Sequence, residues 1–289
     1  MNCKTLYHYT SNRGLVGIIE HRALHFSDVR FLNDSREFRH FCDMIEPSIR
    51  VRASNYRQSW IEHGCKESIF DAMVENLCAR SRNEALFQRM SKFGHPFIFS
   101  LSEERDNLSQ WRAYGNGEYC IGFDTDKLSE LRGATLLKIH YSDLGGQVPL
   151  SGMIDWFFEN HFKDIRPDGT VDPEVFYDGL DDMLSRSTPD SFLQHKDAAF
   201  SQEKEQRLVI YRHIRDEGMF FDPNGRYPTP RFKFMASERQ NTILEAITEI
   251  ICGPGMDLER SKAAIDLMGQ RASGLRFNVT SSTVPYRSS

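Results

Sequence analysis

Several chemistries are missing from this chain of 289 residues. Its six cysteines, Cys3, Cys42, Cys65, Cys78, Cys120 and Cys252, form no Cys-x-x-Cys pair. That removes the usual spacing of zinc sites and of dithiol redox centres. Ten histidines supply no His-Glu-x-x-His and no Cys/His cluster, so no metal site is expected. His21 and His25 lie four apart but have no evident third ligand. Several cysteines sit in apolar surroundings and read as reduced core residues of a cytosolic protein. No run is long and apolar enough to span a bilayer, and no hydrophobic leader follows Met-Asn-Cys-Lys-Thr-Leu. A cytoplasmic protein without a membrane partner is therefore expected. Positive charge is also in short supply, with 36 Lys and Arg against 41 Asp and Glu and a net charge of −5. Wholesale non-specific binding to duplex DNA is not suggested by that balance, although a local basic patch stays open. Internal repeats and low-complexity tracts are absent as well.

What the chain does have is aromatic bulk. There are 21 Phe, 10 Tyr and 3 Trp, enough for a core despite an apolar fraction of only 39%. Alternating apolar residues predict strands at 6–9, 23–27, 97–101, 119–123, 134–141, 207–211, 231–235, 250–252 and 275–279. Helical spacing predicts helices at 13–21, from the turn at 31–37 to about 45, and twice or so across 46–92. Further helices are expected at 107–114, 153–162, 173–185, 241–249 and 257–270. Ser11 or Asn12 is the expected cap of the first, and Asp34 or Ser35 of the second. Gly145-Gly146 breaks the strand at 134–141, and 218–230, rich in Pro and Gly, reads as an irregular loop. Many strands with inserted helices predict an α+β fold in one domain over 1–289, with helical insertions at about 46–95 and 150–200.

The chain is organised around residues 97–124. Ser100 and Ser102 share one side of the first strand there, and Phe99 and Leu101 the other. A Trp111-x-x-Tyr114-Gly115 element follows. Together they read either as floor and wall for a polar ligand with aromatic surface, or as a hairpin with a long loop. A second cluster is Tyr7-His8-Tyr9-Thr10-Ser11. His8 and Thr10 share a face, and both can hydrogen-bond vicinal hydroxyls. The other reading is a half-buried strand with a satisfied histidine. The third cluster is Glu203-x-Glu205-x-Arg207, which strand alternation places on one face. Two carboxylates there repel, so one binds a substrate hydroxyl or holds a proton. Alternatively Arg207 neutralises Glu205 at a solvated strand edge.

The clusters also fall in a recognisable order. Leu-Tyr-His-Tyr-Thr-Ser comes first, then Phe-Leu-Asn-Asp-x-x-Glu, then Phe-Ser-Leu-Ser-Glu-x-x-Asp-Asn-Leu-x-x-Trp-x-x-Tyr-Gly. Cys-Ile-Gly-Phe-Asp, Glu-x-Glu-x-Arg and Ile-Cys-Gly-Pro follow. This order, from Leu6 to Arg287, resembles a large bacterial family of unassigned function. That family in turn resembles a distant branch of the ADP-ribosyltransferase superfamily. His8-x-Thr10 is similar to its His-x-Thr, Ser100-x-Ser102 to its Ser-x-Ser strand, and Glu203-x-Glu205 to its Glu-x-Glu.

The resemblance implies a split mixed β-sheet core gripping NAD, with His8 and Thr10 on a ribose and Ser100, Ser102 and Arg207 lining the cofactor site. It implies that Tyr114 or Trp111 stacks on the nicotinamide or adenine. Glu205 would be the catalytic carboxylate, with Glu203 orienting the acceptor. The activity implied is NAD-dependent transfer of ADP-ribose to a macromolecule, protein or nucleic acid, in a toxin or anti-phage effector with a possible antitoxin partner. An NAD glycohydrolase, an RNA 2′-phosphotransferase-like enzyme and a non-catalytic nucleotide sensor share the implied fold. The sequence departs from the pattern in lacking a Gly-rich phosphate loop and a basic residue on the His8 strand. Arg13, Arg30 and Arg36 are the remaining candidates for the pyrophosphate.

Overall fold

The computed structural model describes residues 4–32, 37–81, 94–114, 116–142, 151–172, 176, 192–223, 227–235 and 242–285. In chain order its elements begin with β1 (Thr5–Thr10), α1 (Asn12–His21), β2 (Ala23–Asp28), α2 (Glu37–Glu62) and α3 (Glu67–Arg80). Then come β3 (His95–Ser102), α4 (Leu108–Ala113), β4 (Tyr119–Asp124), α5 (Thr125–Ser129), β5 (Thr135–Lys138), β6 (His140–Ser142) and α6 (Ser151–Asn160). The remainder are β7 (His195–Asp197), β8 (Glu205–Arg212), β9 (Met219–Asp222), β10 (Thr229–Met235), α7 (Thr242–Glu245), β11 (Ile247–Cys252), α8 (Leu258–Ser273) and β12 (Val279–Ser281). The fold is α+β, and its main sheet is open and mostly antiparallel. By its internal contacts the chain divides into two compact units. One comprises Met1–Phe31, Phe97–Ile139 and Phe200–Ser289, the other Leu32–Pro96 and His140–Ala199.

The first unit holds the large sheet, in the order β12-β11-β4-β1-β3-β2-β10-β9, with β8 on β3 and β5 on β8. β1 lies between β3 and β4, so residues 97–124 are not a hairpin; their connection crosses over β1. β3 has three partners, β1, β2 and β8. A strand has two edges, so two of these share one edge at different heights. β2 meets β3 at Phe97 and Ile98, and β1 meets it at Ser102. One side of the sheet carries the main core, with Leu6, Phe26, Phe99, Phe123, Leu208, Ile210 and Ile250 packed against Leu15 and Ile18 of α1 and Ile265 of α8. Ser11 caps α1 by accepting a hydrogen bond from the Gly14 amide at 3.2 Å, and Asp257 does the same for α8. Tyr7, Tyr9, Trp111, Cys120 and Ile251 form a separate cluster.

The second unit packs α2, α3 and α6 around Trp60. Its indole donates to the Phe158 carbonyl at 3.1 Å, and Phe70, Phe158, Phe162 and Phe176 surround it. α2 does not end near Ile45 as expected but runs through Pro47 to Glu62. The proline costs about 3 kcal/mol in a helix interior. Ile49, Ala53 and Trp60, all buried beyond it, outweigh that cost, since a large apolar side chain contributes about 1.5–3 kcal/mol on burial.

Other boundaries also shift. The strand expected at 134–141 is two, β5 on β8 and β6 on β7. Within the expected loop at 218–230 lies β9, paired with β10 across Phe221↔Pro230. The helix at 241–249 is only α7, because Ile247 already belongs to β11. The last strand lies at Val279–Ser281 rather than 275–279. Asp34, Ser35, Arg36, Gly145, Gly146 and, apart from Phe176, the helix at 173–185 lie outside the described residues. Cys65, Cys78, Cys120 and Cys252 are buried; Cys3 and the Cys42 side chain lie outside the described part. Among the described residues no helix is long and apolar enough to cross a membrane.

Candidate functional site

Tyr7 stands opposite Ser102 in the β1–β3 ladder. Opposed residues of an antiparallel pair share a face. Tyr7, Tyr9, Ser100 and Ser102 therefore lie on one side of the sheet, and His8, Thr10, Phe99 and Leu101 on the other. The serines and the His8/Thr10 pair, expected to act together, alternate to opposite faces. Tyr7↔Ser102 is also the single registered pair between β1 and β3, whereas β1 follows β4 from Thr5↔Asp124 to Thr10↔Tyr119. Where β1 parts from β3, the His8 ring fills in. It stacks on Phe99 at 4.0 Å, and its Nδ1 donates to the Ser100 carbonyl at 2.9 Å.

A cleft opens at this parting, wholly within the first unit. Tyr7, His8 and Tyr9 line it from β1, and Ser100, Leu101 and Ser102 from β3. Gln110 of α4, Tyr114, Glu203 and Glu205 complete it. Its volume is about 60 Å³. Pockets that enclose a whole drug-sized ligand hold about 300–1,000 Å³, so this notch has room for no more than one ring or one sugar.

Glu203 reaches the cleft by a route that strand alternation does not describe. It ends a 3-10 turn, Ala198–Glu203, and Lys204 has φ +43°, so the pleat begins only at Glu205. The turn is tied to the end of β3. The Ser102 hydroxyl donates to the Glu203 carbonyl at 2.7 Å and accepts from the Glu104 amide at 3.0 Å. The Tyr114 hydroxyl donates to Glu203 Oε1 at 2.9 Å. Glu205 is buried and takes both Arg207 Nε, at 3.0 Å, and Arg207 Nη2, at 3.1 Å.

Three expected ligand contacts are corrected. Arg207 is 1% exposed and serves Glu205 rather than the cleft wall. Trp111 is fully buried, its indole donating to Asp106 at 2.7 Å and meeting Tyr9 edge-on, so no ligand can stack on it. Thr10 turns under α1, where a side-chain carbon at Gly14 would come within 2.0 Å of its Oγ1. Of the pyrophosphate candidates, Arg30 is engaged by buried Asp28 at 2.7 Å, Arg13 is exposed on α1, and Arg36 lies outside the described residues.

The local electrostatics favour neutral rings. Burial holds the His8 imidazole down to about 4; the Ser100 carbonyl opposes this and nearby Arg231 adds to it. His8 is thus neutral at pH 7, and because a carbonyl only accepts, Nδ1 carries the proton and Nε2 is an acceptor. Burial, with Glu249 beside it, pushes the Tyr7 phenol up to about 12. Burial raises Tyr9 as well, whose hydroxyl donates to the Glu104 carbonyl and accepts from the Asn107 amide.

Tyr7, Tyr9 and Gln110 were not among the candidates. The two tyrosines alternate with His8, and the sequence does not reveal which face of β1 meets the serines. Gln110 had a usable signal, standing four residues before Tyr114 on one side of a helical turn.

A family of proteins of unknown function (DUF2971) matches residues 110–208. The chain is similar to that family over roughly a third of its 289 residues. The matched stretch opens at Gln110 and includes Tyr114, Glu203, Glu205 and Arg207 from the cleft and its support. His8, Ser100 and Ser102 lie before it. No curated protein and no solved structure matches the chain.

Proposed function

We propose that the protein is an NAD-dependent ADP-ribosyltransferase and that its sheet is a divergent form of the split core of that superfamily. The observation that carries this reading is the convergence of two carboxylates, Glu203 and Glu205, on a notch beside neutral His8 and the Tyr114 ring. In the proposed reaction the bond between ribose C1′ and the nicotinamide nitrogen breaks, and its electron pair leaves with neutral nicotinamide. Positive charge develops on the ribose, as in glycoside cleavage. The acceptor's lone pair then adds at C1′ and the acceptor loses a proton. Glu205 is assigned to the ribose. The small volume suits the nicotinamide–ribose end, with the rest of NAD across open surface. A toxin or defence role and a macromolecular acceptor extend this proposal.

A second reading is favoured by the Glu205–Arg207 pair itself. A positive charge on the carboxylate lowers its capacity to stabilise a cationic transition state, which suits a nucleotide sensor without turnover. The discriminating measurement is nicotinamide release from NAD, followed by chromatography with and without protein and nucleic-acid acceptors. Release lost in Glu205→Gln supports the transferase. NAD binding with no release under any acceptor supports the sensor.

A further inference from the structure

We infer that Gln110 selects the ligand of this cleft and that what it selects is a neutral carboxamide. This rests on reading the cleft as the NAD site, and deepens it by naming the group that is read.

The argument is an account of hydrogen-bonding capacity. Ser102 spends its donor on the Glu203 carbonyl and accepts the Glu104 amide. Tyr7 donates to Glu249, and Tyr114 to Glu203. Gln110 differs from all of these. It is only 6% exposed and lines the cleft, yet its side-chain amide has no hydrogen-bond partner among the described residues. Its backbone is satisfied, the amide by Asn107 Oδ1 and the carbonyl by the Tyr114 amide. Its amide atoms are not sealed from solvent, so the group faces the open cleft, where a ligand can replace water on it. A primary amide presents an acceptor and a donor side by side. Its complement is a group with the same pair reversed, which is a carboxamide.

A ligand carboxylate lacks the donor that the Gln110 carbonyl requires. The cleft therefore separates a ring bearing a carboxamide from the same ring bearing a carboxylate.

The test uses nicotinamide and nicotinic acid as isolated probes, titrated by ligand-observed NMR against wild type, Gln110→Leu and Gln110→Glu, with melting curves for all three. Wild type is expected to bind nicotinamide at least tenfold more tightly than nicotinic acid. Both variants should lose at least tenfold in nicotinamide affinity, the scale on which a site built for hydrogen bonds rejects a mismatch. Gln110→Leu should melt at or above the wild-type temperature, because it removes an unpartnered amide and orphans nothing. Equal nicotinamide binding by all three, or equal binding of both probes by wild type, overturns the inference. So does a lowered melting temperature in Gln110→Leu, which marks a structural role. NAD cleavage by wild type is scored separately. Cleavage with Gln110-independent nicotinamide binding sinks only this inference, and Gln110-dependent binding without cleavage sinks only the transferase.

Discussion

Arg207 holds Glu205 through two parallel hydrogen bonds, Nε to Oε1 and Nη2 to Oε2, with the two side chains only 1% and 6% exposed. The two residues are neighbours by strand alternation on β8, while Leu208 and Ile210 from the other face of the strand enter the main core. The pair fixes the plane of the carboxylate where it borders the cleft. The catalytic role proposed for Glu205 and the pair's contribution to stability can be tested separately.

Glu205→Gln keeps the shape and removes the charge. If Glu205 stabilises a cationic transition state, turnover should fall roughly 100- to 1000-fold. NAD affinity should change little, because the charge matters most at the transition state. Nicotinamide release and NAD calorimetry on the same preparation check both halves. Equal rates for wild type and variant would remove Glu205 from catalysis.

Arg207→Met leaves the Glu205 carboxylate buried without its cation. The expected loss is roughly 3–5 kcal/mol, and the double variant Glu205→Gln, Arg207→Met should recover much of it. Urea unfolding of the three variants measures the cycle. An additive double variant would show that the two groups do not depend on each other.

Ser102→Ala should cost about 1–2 kcal/mol, because it breaks the bond to the Glu203 carbonyl and orphans the Glu104 amide. The sequence alone favours a much smaller effect, since a ligand-facing serine adds nothing to stability. An unchanged melting midpoint would return Ser102 to that role.

His8 makes stability depend on pH in a definite window. The unfolded ring takes its proton near 6.5 and the folded one near 4. Between those values the unfolded state holds more protons, so stability falls as pH falls, by roughly 3 kcal/mol at most. His8→Asn offers an amide nitrogen to the Ser100 carbonyl and does not titrate. Its melting temperature should vary less than that of wild type from pH 6.5 down to 4. His25, also held down by burial, contributes the same slope to both proteins. Parallel profiles would show that His8 is not the titrating group.

Gly253 tests the Ile-Cys-Gly-Pro motif. A side-chain carbon there would lie 2.0 Å from the Gly117 carbonyl oxygen, while the Gly253 amide donates to the Glu118 carbonyl at 2.7 Å. Backbone cannot yield as a side chain can, so Gly253→Ala should cost roughly 3 kcal/mol. Chemical denaturation reads this directly, and a wild-type midpoint would mean that the turn relaxes freely.

Much of the architecture was legible because apolar alternation is local. β1, β2, β3, β4 and β10 follow it to within a residue or two at each end, as does the capped helix α1, while α8 runs three residues past its expected end at 270. β9 escaped notice because the prolines and glycines around it outweigh Met219, Phe220 and Phe221 as local signals. Only its ladder with β10 makes it a strand. The site was less legible for the same reason. His8, Ser100, Glu203 and Glu205 could be picked out singly, but which faces meet depends on the register Tyr7↔Ser102. The positive φ at Lys204 then breaks the alternation assumed between the two glutamates. Burial of Trp111 is likewise tertiary, since an exposed and a sealed indole look alike in sequence.

The branch at β3 has a mechanical consequence. With one registered pair holding β1 to β3 at the cleft, against a full ladder between β1 and β4, this seam is the fault line of the sheet. Widening it breaks few backbone hydrogen bonds, so enlarging the notch costs far less than parting β1 from β4. Backbone amides along the seam should exchange with solvent sooner than those facing β4, and a bound sugar or ring wedged there should slow them.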